Sequence, residues 1–241
     1  GTPKMNLQQK KDNSFLATEP LGRLLLKLSL PTVTAQVINM LYNIVDRIYI
    51  GHIPETGALA LTGVGVCMPL IMIVSAFAAL VGNGGAPRAS IFMGKGDKES
   101  AEQTLGNCFT TQIVVSLLLT LILFTGNKSF LMAFGASENT IPYAVAYMNI
   151  YSLGTIFVQL TLGMNAFITA QGFAKTSMLS VLVGAASNII LDPIFIFALH
   201  MGVRGAALAT IVSQALSCTW VLHFLMGKKS YLKIHRCNMK L

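Results

Sequence analysis

Six long apolar runs, separated by short polar breaks, dominate the pattern of hydrophobic and polar positions along the chain. Each is about 20 residues or longer, enough for a helix to cross a hydrocarbon core about 30 Å thick. The runs are continuous and not alternating, which favours helices over the strands of a membrane barrel. We therefore predict an all-α, polytopic membrane protein. Its six-transmembrane-helix bundle should consist of residues 24–50, 59–81, 106–126, 142–169, 178–199 and 206–226.

The composition agrees with this prediction, because 54% of the residues are hydrophobic and only 11% are charged. Soluble domains carry about 25% charged residues, so a soluble enzyme and a disordered chain are both excluded. The four cysteines show no CxxC or Cys/His ligand spacing, so we expect neither a zinc site nor a disulfide framework. We also expect no cofactor. Residues 1–23 form a polar N-terminal tail without a cleavable signal pattern. Residues 24–226 form the membrane lobe, and 227–241 a basic tail or linker.

The basic residues indicate an orientation. If the N-terminus is cytoplasmic, only Arg47, Lys128 and Arg204 of the 17 Lys and Arg residues fall on the outer side. The other 14 are then cytoplasmic, as the positive-inside rule requires. We predict a multi-pass protein of the plasma membrane (in bacteria, the cell inner membrane) with both termini cytoplasmic. The net charge of +8 then reflects topology and contact with membrane lipid, and we expect no nucleic-acid partner.

Two of the nine acidic residues lie inside predicted helices: Asp46 near the outer end of the first and Asp192 in the fifth. A carboxylate at the centre of a span costs about 2.5–3.5 kcal/mol, so such groups usually face a cavity, a partner or an ion. The alternatives are structural. Asp46 would pair with the adjacent Arg47, and Asp192 would cap a helix break beside Pro193.

Polar neighbours favour a functional role for Asp46. Gln36, Asn39, Asn43 and Asp46 are spaced by three, four and three residues, so they share one face of the first helix. A row of amides cannot face lipid without a large cost, so this stripe should face protein or water. We expect Gln36, Asn39 and Asn43 to line a cavity.

Asp192 also has polar neighbours. Asn188 lies four residues earlier, and Pro193 leaves the carbonyl of Ile189 without its usual donor, which favours a kink. Carboxylate, amide and carbonyl oxygens suit a small cation or a proton relay. Further polar residues lie on the sixth and fourth predicted helices, where hydrogen bonding between helices is the simpler interpretation of any one of them. They are Thr210, Ser213, Gln214 and Ser217, and Asn149, Ser152, Gln159 and Asn165.

Pro31 lies within the first turns of the first predicted helix. A proline there either starts the helix or acts as a bending point.

Three stretches together resemble the MATE (multidrug and toxic compound extrusion) transporters, and in particular their bacterial MepA-like members. The first is LLLKLSLPTVTAQVINMLYNIVDRIYIGHI, residues 24–53. The second is GVGVCMPLIMIVSAFAALVGNGGAPRASIFMGKGDKESAEQTLGN, residues 63–107. The third is SNIILDPIFIFALHMGVRGAALATIVSQ, residues 187–214.

The resemblance implies a function and a missing partner. Family members usually have two six-helix lobes around a central cavity, and this chain resembles the N-terminal lobe only. A C-terminal six-helix lobe would then be its partner. The family implies a cation-coupled multidrug efflux antiporter that exports organic cations and related drugs in exchange for Na⁺ or H⁺.

The resemblance also assigns residues to roles. Asp46, Asn188, Asp192 and Thr210 match the coupling-cation or proton site, and they would be the Na⁺ ligands if sodium is the coupling ion. Asn165 matches a residue of the same cavity, and Pro31 matches a proline linked to bending of the first helix.

Three other functions stay open. A lipid-linked sugar flippase of related fold should carry more cationic residues in its cavity, to meet a pyrophosphate. A non-transporting half-size or truncated protein could pair with a second copy. A membrane enzyme is disfavoured, because no Ser/His/Asp or Cys/His arrangement stands out.

Overall fold

The computed structural model describes residues 18–239, and within this range all regular structure is helical. Five of the helices are long and apolar enough to span a membrane, and a bent pair brings the number of spans to six. The prediction of an all-α, polytopic bundle is confirmed. The helices are α1 Leu21–Gly51, α2 Gly57–Gly94, α3 Lys98–Ala133, α4 Ile141–Leu153, α5 Thr155–Ala170, α6 Ala174–Pro193 and α7 Val203–Met226, with a π-helical turn Ile194–Ala198 and a 3₁₀ turn Arg236–Asn238.

Helices α2 and α3 are longer than the apolar runs predict, and the predicted break between residues 81 and 106 is wrong. Only residues 95–97 separate the two helices. The glycines after residue 81 are not a loop. A Cβ atom at Gly82 would lie 2.9 Å from the carbonyl oxygen of Gly163, so glycine there allows α2 and α5 to approach closely.

Asp97 caps the start of α3. Its carboxylate accepts hydrogen bonds from the backbone N–H of Ser100 at 3.1 Å and from the Ser100 hydroxyl at 2.6 Å. These bonds favour the ionised form and hold the pKa of Asp97 below its ordinary value. The cap satisfies backbone donors at the helix start, and so fixes where α3 begins.

The fourth predicted helix, residues 142–169, is not continuous. It is the pair α4 and α5, which meet at Gly154 with a bend of 58°. Ile211 of α7 packs directly on this glycine, and a Cβ atom at position 154 would lie 2.5 Å from it. The bend therefore depends on a contact between distant parts of the chain, which periodicity does not encode.

The fifth predicted helix changes its hydrogen-bond pattern at Pro193. Helix α6 ends there, and the chain continues as a π-helical turn in which Leu199 N–H donates to Ile194 O at 2.9 Å. Proline cannot donate to the preceding turn, and π turns occur where the α-helical ladder is displaced. The proline thus marks a change from α-helix to π-helix, and the predicted kink at this position stays a prediction.

Helix α1 is held differently from the others. It packs mainly on α6, and its contacts with α2 and α7 are fewer. Much of its apolar surface is exposed, including Leu30 at 67% and Met40 at 66%. Two buried hydrophobic clusters, one toward each end of the bundle, are built mainly from α2, α3, α4, α5 and α7, and α1 contributes Ile50. Helix α1 is thus the element of the bundle with the fewest neighbours.

The segment after α7 folds back onto the bundle, and we call residues 230–235 the clasp. Ser230, Leu232 and Ile234 are buried. Gln171, in the turn between α5 and α6, accepts hydrogen bonds from the backbone N–H groups of Tyr231 at 2.9 Å and Leu232 at 3.1 Å. The clasp therefore ties the end of α7 to that turn.

Glu102 of α3 contacts the C-terminal part of the clasp. Its carboxylate accepts from the backbone N–H of Lys233 at 3.3 Å and lies 3.2 Å from His235 Nε2. The first part of the predicted basic tail is thus packed on the bundle. Lys240 and Leu241 lie outside the described residues, as do residues 1–17 of the predicted N-terminal tail.

Replacing Gln171 with Leu should release the clasp. The backbone N–H groups of Tyr231 and Leu232 lose their acceptor, so we expect a loss of about 2 kcal/mol of unfolding free energy at about 1 kcal/mol for each bond. Trypsin should also cut faster after Lys233, as followed by mass spectrometry. Gln103→Leu, at an exposed position on α3, is the matched control. Equal cutting rates in the two variants would show that Gln171 does not hold the clasp.

Candidate functional site

The two carboxylates inside the predicted helices lie next to each other between α1 and α6. Asp46 is 8% exposed and Asp192 is 1% exposed. Their carboxyl groups are within hydrogen-bonding reach of each other when one of them carries a proton. Two negative charges so close together in a buried site repel strongly. The pair therefore requires a proton or a cation to be stable.

The two structural alternatives for these acids are not observed among residues 18–239. Arg47 attracts Asp46 electrostatically, but it is exposed and forms no ion pair within 4 Å in that range. Neither oxygen of Asp192 has a hydrogen-bond donor there, so this carboxylate does not cap the helix break beside Pro193.

Several oxygen atoms around the pair have no hydrogen-bond partner in the described part of the chain. They are Oδ1 of Asp46, Oδ1 of Asn188 and both carboxyl oxygens of Asp192. The Thr210 hydroxyl donates to Ala206 O at 3.0 Å, which leaves its lone pairs available. Buried oxygens without donors are costly unless something occupies them. Carboxylate, amide and hydroxyl oxygens are hard ligands, so this set fits a small cation such as Na⁺ or a shared proton.

Three tyrosines belong to the same region, although the polar stripe does not single them out. Tyr42 of α1 lies within electrostatic reach of both Asp46 and Asp192. Tyr147 of α4 lies within electrostatic reach of Asp46. Tyr151 stacks on Tyr147 with ring centroids 6.0 Å apart. A usable signal exists in the sequence, because Tyr42 lies three residues after Asn39 and four before Asp46, on the same helix face.

A small cavity lies between α1, α6 and α7, lined by Tyr42, Asn188 and Thr210 among others but by neither Asp46 nor Asp192. Its volume is about 60 Å³. This is room for a few water molecules or a partly hydrated ion, whereas pockets for drug-sized ligands occupy about 300–1,000 Å³. Half of the polar residues that the sequence assigns to a site line this cavity, namely Asn39, Asn165, Asn188 and Thr210. Tyr42 lines it as well.

Gln36 and Asn43 lie apart from this cavity. Both are exposed on α1, and the Asn43 amide donates to Asn39 O at 2.9 Å within the same helix. They border the exposed apolar face of α1. Their assignment to a larger cavity stays a prediction, because such a cavity would need a second set of helices.

Several other polar residues tie helices together, which is the simpler of the two interpretations offered for them. The Gln159 amide donates to Val74 O at 2.5 Å, which joins α5 to α2. The Ser217 hydroxyl donates to Ser180 O at 2.8 Å, which joins α7 to α6. Asn149 accepts from the Asn127 amide at 2.7 Å, which joins α4 to α3.

Pro31 lies in the interior of α1, ten residues after the helix begins at Leu21. It is therefore not a helix-start proline, and that alternative is wrong. Beside it, a groove of about 380 Å³ separates α1 from the start of α6 near Ala174 and Met178. Pro31 removes one backbone hydrogen bond at the place where α1 has free space next to it.

The sequence model of the MatE family matches residues 31–194, a stretch that contains Pro31, Asp46, Asn188 and Asp192. The chain belongs to the MatE family. It is 27% identical over 92% of its length to the multidrug export protein MepA of Staphylococcus haemolyticus, of which it covers 48%.

Solved structures agree with this membership. One shows an outward-facing conformation of a multidrug resistance MATE family transporter. It is 27% identical with a TM-score of 0.81, over 88% of this chain and 47% of that one. Another is a crystal structure of MATE in the bent conformation, 26% identical with a TM-score of 0.82, over 89% and 47% of the two chains. The chain thus spans about half the length of the relatives it matches.

The interhelical role of Gln159 can be tested by replacing it with Leu. Loss of its bond to Val74 should lower the unfolding free energy by about 1 kcal/mol, as expected for a polar contact between membrane helices. Unfolding of the chain in mixed micelles under added dodecyl sulfate measures this change. Gln36→Leu, at an exposed position, should stay within about 0.5 kcal/mol of the parent. A Gln159→Leu variant as stable as Gln36→Leu would contradict the role.

Proposed function

We propose that the chain is the N-terminal lobe of a cation-coupled multidrug efflux antiporter, and that Asp46, Asn188, Asp192 and Thr210 hold the coupling Na⁺ or H⁺. The observation that carries the proposal is the buried pair of carboxyl groups, with neighbouring oxygens that lack donors in the described chain. Membership of the MatE family and the export function named for MepA support it. In the cell, the lobe would sit in the plasma membrane with both termini cytoplasmic.

The carboxylate pair can couple an ion to a movement of α1. A cation or proton shared by Asp46 and Asp192 neutralises the pair and holds α1 against α6. When it leaves, the two charges repel across the main contact of α1. A ligand shifts a conformational equilibrium by the difference in its affinity for the two states, and here the occupied pair favours the closed contact. Pro31 and the groove beside it give α1 room to bend away.

The drug site would lie outside this lobe. The cavity of about 60 Å³ lined by Asn188 and Thr210 is too small for an organic cation of drug size. The exposed face of α1, with Gln36 and Asn43 at its edge, is suited to line a larger cavity closed by the missing C-terminal lobe. A lipid-linked sugar flippase would need cationic groups facing a pyrophosphate, whereas the buried charged groups at the site are carboxylates.

Binding of the coupling ion is testable on the chain itself. We expect Na⁺, compared with K⁺ at equal ionic strength, to raise its thermal stability in detergent, by about 2.7 kcal/mol at one hundred times the dissociation constant. If the coupling ion is H⁺, acidification in sodium-free buffer should stabilise the chain instead. Asp46→Asn and Asp192→Asn should each remove the response, because the amide cannot replace the charge.

Asp97→Asn is the matched control, because it removes an acid from an exposed helix cap where asparagine also serves. It should leave the ion response unchanged. If both site variants still respond to sodium and pH like the parent chain, the proposal fails. Transport itself is measured on the complete polypeptide, as ethidium efflux from vesicles with sodium and pH gradients imposed separately. Each site variant should lose the ion-driven component.

If Pro31 is the bending point of α1, replacing it should change the motion of this helix. Pro31→Ala restores the missing backbone donor and should narrow the range of positions that the first part of α1 adopts. Spin labels at Arg23 and Lys175, both exposed, report this range as the width of a double electron–electron resonance distance distribution. The native cysteines are replaced by serine in parent and variant alike. An unchanged width would exclude Pro31 as the bending point.

A further inference from the structure

A groove at the end of the bundle nearest to Asp46 brings together two basic residues from different helices. Its volume is about 250 Å³. Lys128 comes from α3, and Arg204 is the second residue of α7. Residues of α4 form the wall between them. With Arg47, these are the three bases that the charge pattern places on the outer side.

The two bases have no acidic partner in the part of the chain that the structure describes. No ion pair within 4 Å involves either of them, and the residues that line the groove include no Asp or Glu. Two positive charges at one groove repel each other and favour a bound anion. The position of Arg204 strengthens the preference for an anion, because the helix dipole disfavours a cation in the first turn of a helix. Together these features make the groove a positively charged surface without a neutralising acid among its lining residues.

The walls of the groove indicate the kind of anion. Ile141, Pro142 and Val145 give it an apolar side. Asn149 is fixed by the hydrogen bond from Asn127 at 2.7 Å, which uses its Oδ1 atom and leaves its Nδ2 atom to donate. A guanidinium, an ammonium and an amide are the donors that bind phosphate oxygens. An apolar wall beside them matches the glycerol and acyl chains of a phospholipid.

We propose that this groove binds a phosphate group, with Lys128 and Arg204 as the charged ligands and Asn149 as a neutral donor. The phosphate belongs to a phospholipid headgroup or comes from solution, and the experiment separates the two sources. The site is distinct from the carboxylate pair. It does not depend on the chain being part of an antiporter.

The test uses the full chain in an uncharged detergent, titrated with dioctanoyl phosphatidylglycerol and followed by native mass spectrometry. Lys128→Gln with Arg204→Gln should weaken lipid binding by about tenfold or more, because two charge-assisted contacts are lost. Lys175→Gln with Arg23→Gln removes the same charge from other exposed positions and should bind like the parent. Lys128→Arg keeps the charge and should retain binding.

Two further arms identify the source of the phosphate. Dioctanoylglycerol, which has the same chains without phosphate, should bind at least about tenfold more weakly than the phospholipid if the charged contacts carry the affinity. Inorganic phosphate that displaces the phospholipid would show that the site also accepts soluble phosphate, and no displacement assigns it to the lipid. The proposal is overturned if the groove variant binds phosphatidylglycerol as the control variant does. It is also overturned if dioctanoylglycerol binds equally well.

Discussion

The repulsion between Asp46 and Asp192, two carboxylates buried next to each other, is the main constraint on how α1 packs against the rest of this structure. At about 4 Å, two like charges repel by about 4 kcal/mol in the effective dielectric of a partly solvated protein site. Asp46 and Asp192 belong to α1 and α6, and the contact between these helices is the main support of α1. Under the proposed function, whatever neutralises the pair would therefore also decide how firmly α1 is held.

The other helices are held together independently of this pair. Buried amides of Gln112 and Gln159 donate to backbone carbonyls of α2, and two hydrophobic clusters fill the space between the helices. The clasp adds a connection from the end of α7 to α3 and to the turn after α5. The bundle is thus a well-connected body with one loosely supported helix, and the ionisable pair sits at the contact between the two.

Much of this arrangement can be predicted from the sequence, because the apolar runs and the carboxylates within them are visible in short stretches of the chain. Continuous apolar runs locate the spans, and the high cost of a carboxylate in lipid singles out Asp46 and Asp192. The bend at Gly154 and the close approach at Gly82 depend on Ile211 and Gly163, residues distant in the chain. Tyr42 counts as an apolar residue in a hydropathy pattern, although its spacing from Asn39 and Asp46 places it on the polar face, and the structure puts it within electrostatic reach of both carboxylates. The clasp is also invisible in the pattern, because it is held by bonds from backbone N–H groups to Gln171 and Glu102, residues distant from it in the chain.

The size of the cavity also limits the kind of mechanism that the proposed function can use. Room for an ion but not for a drug means that the two ligands do not compete for the same space in this lobe. The ion and the drug can then be coupled only if each of them binds one conformation of the protein better than the other. Helix α1 meets this requirement, because one face carries Asp46 against α6 and the adjacent edge exposes Gln36 and Asn43. An ion bound at Asp46 can therefore change the surface that the adjacent edge of the same helix presents to a substrate.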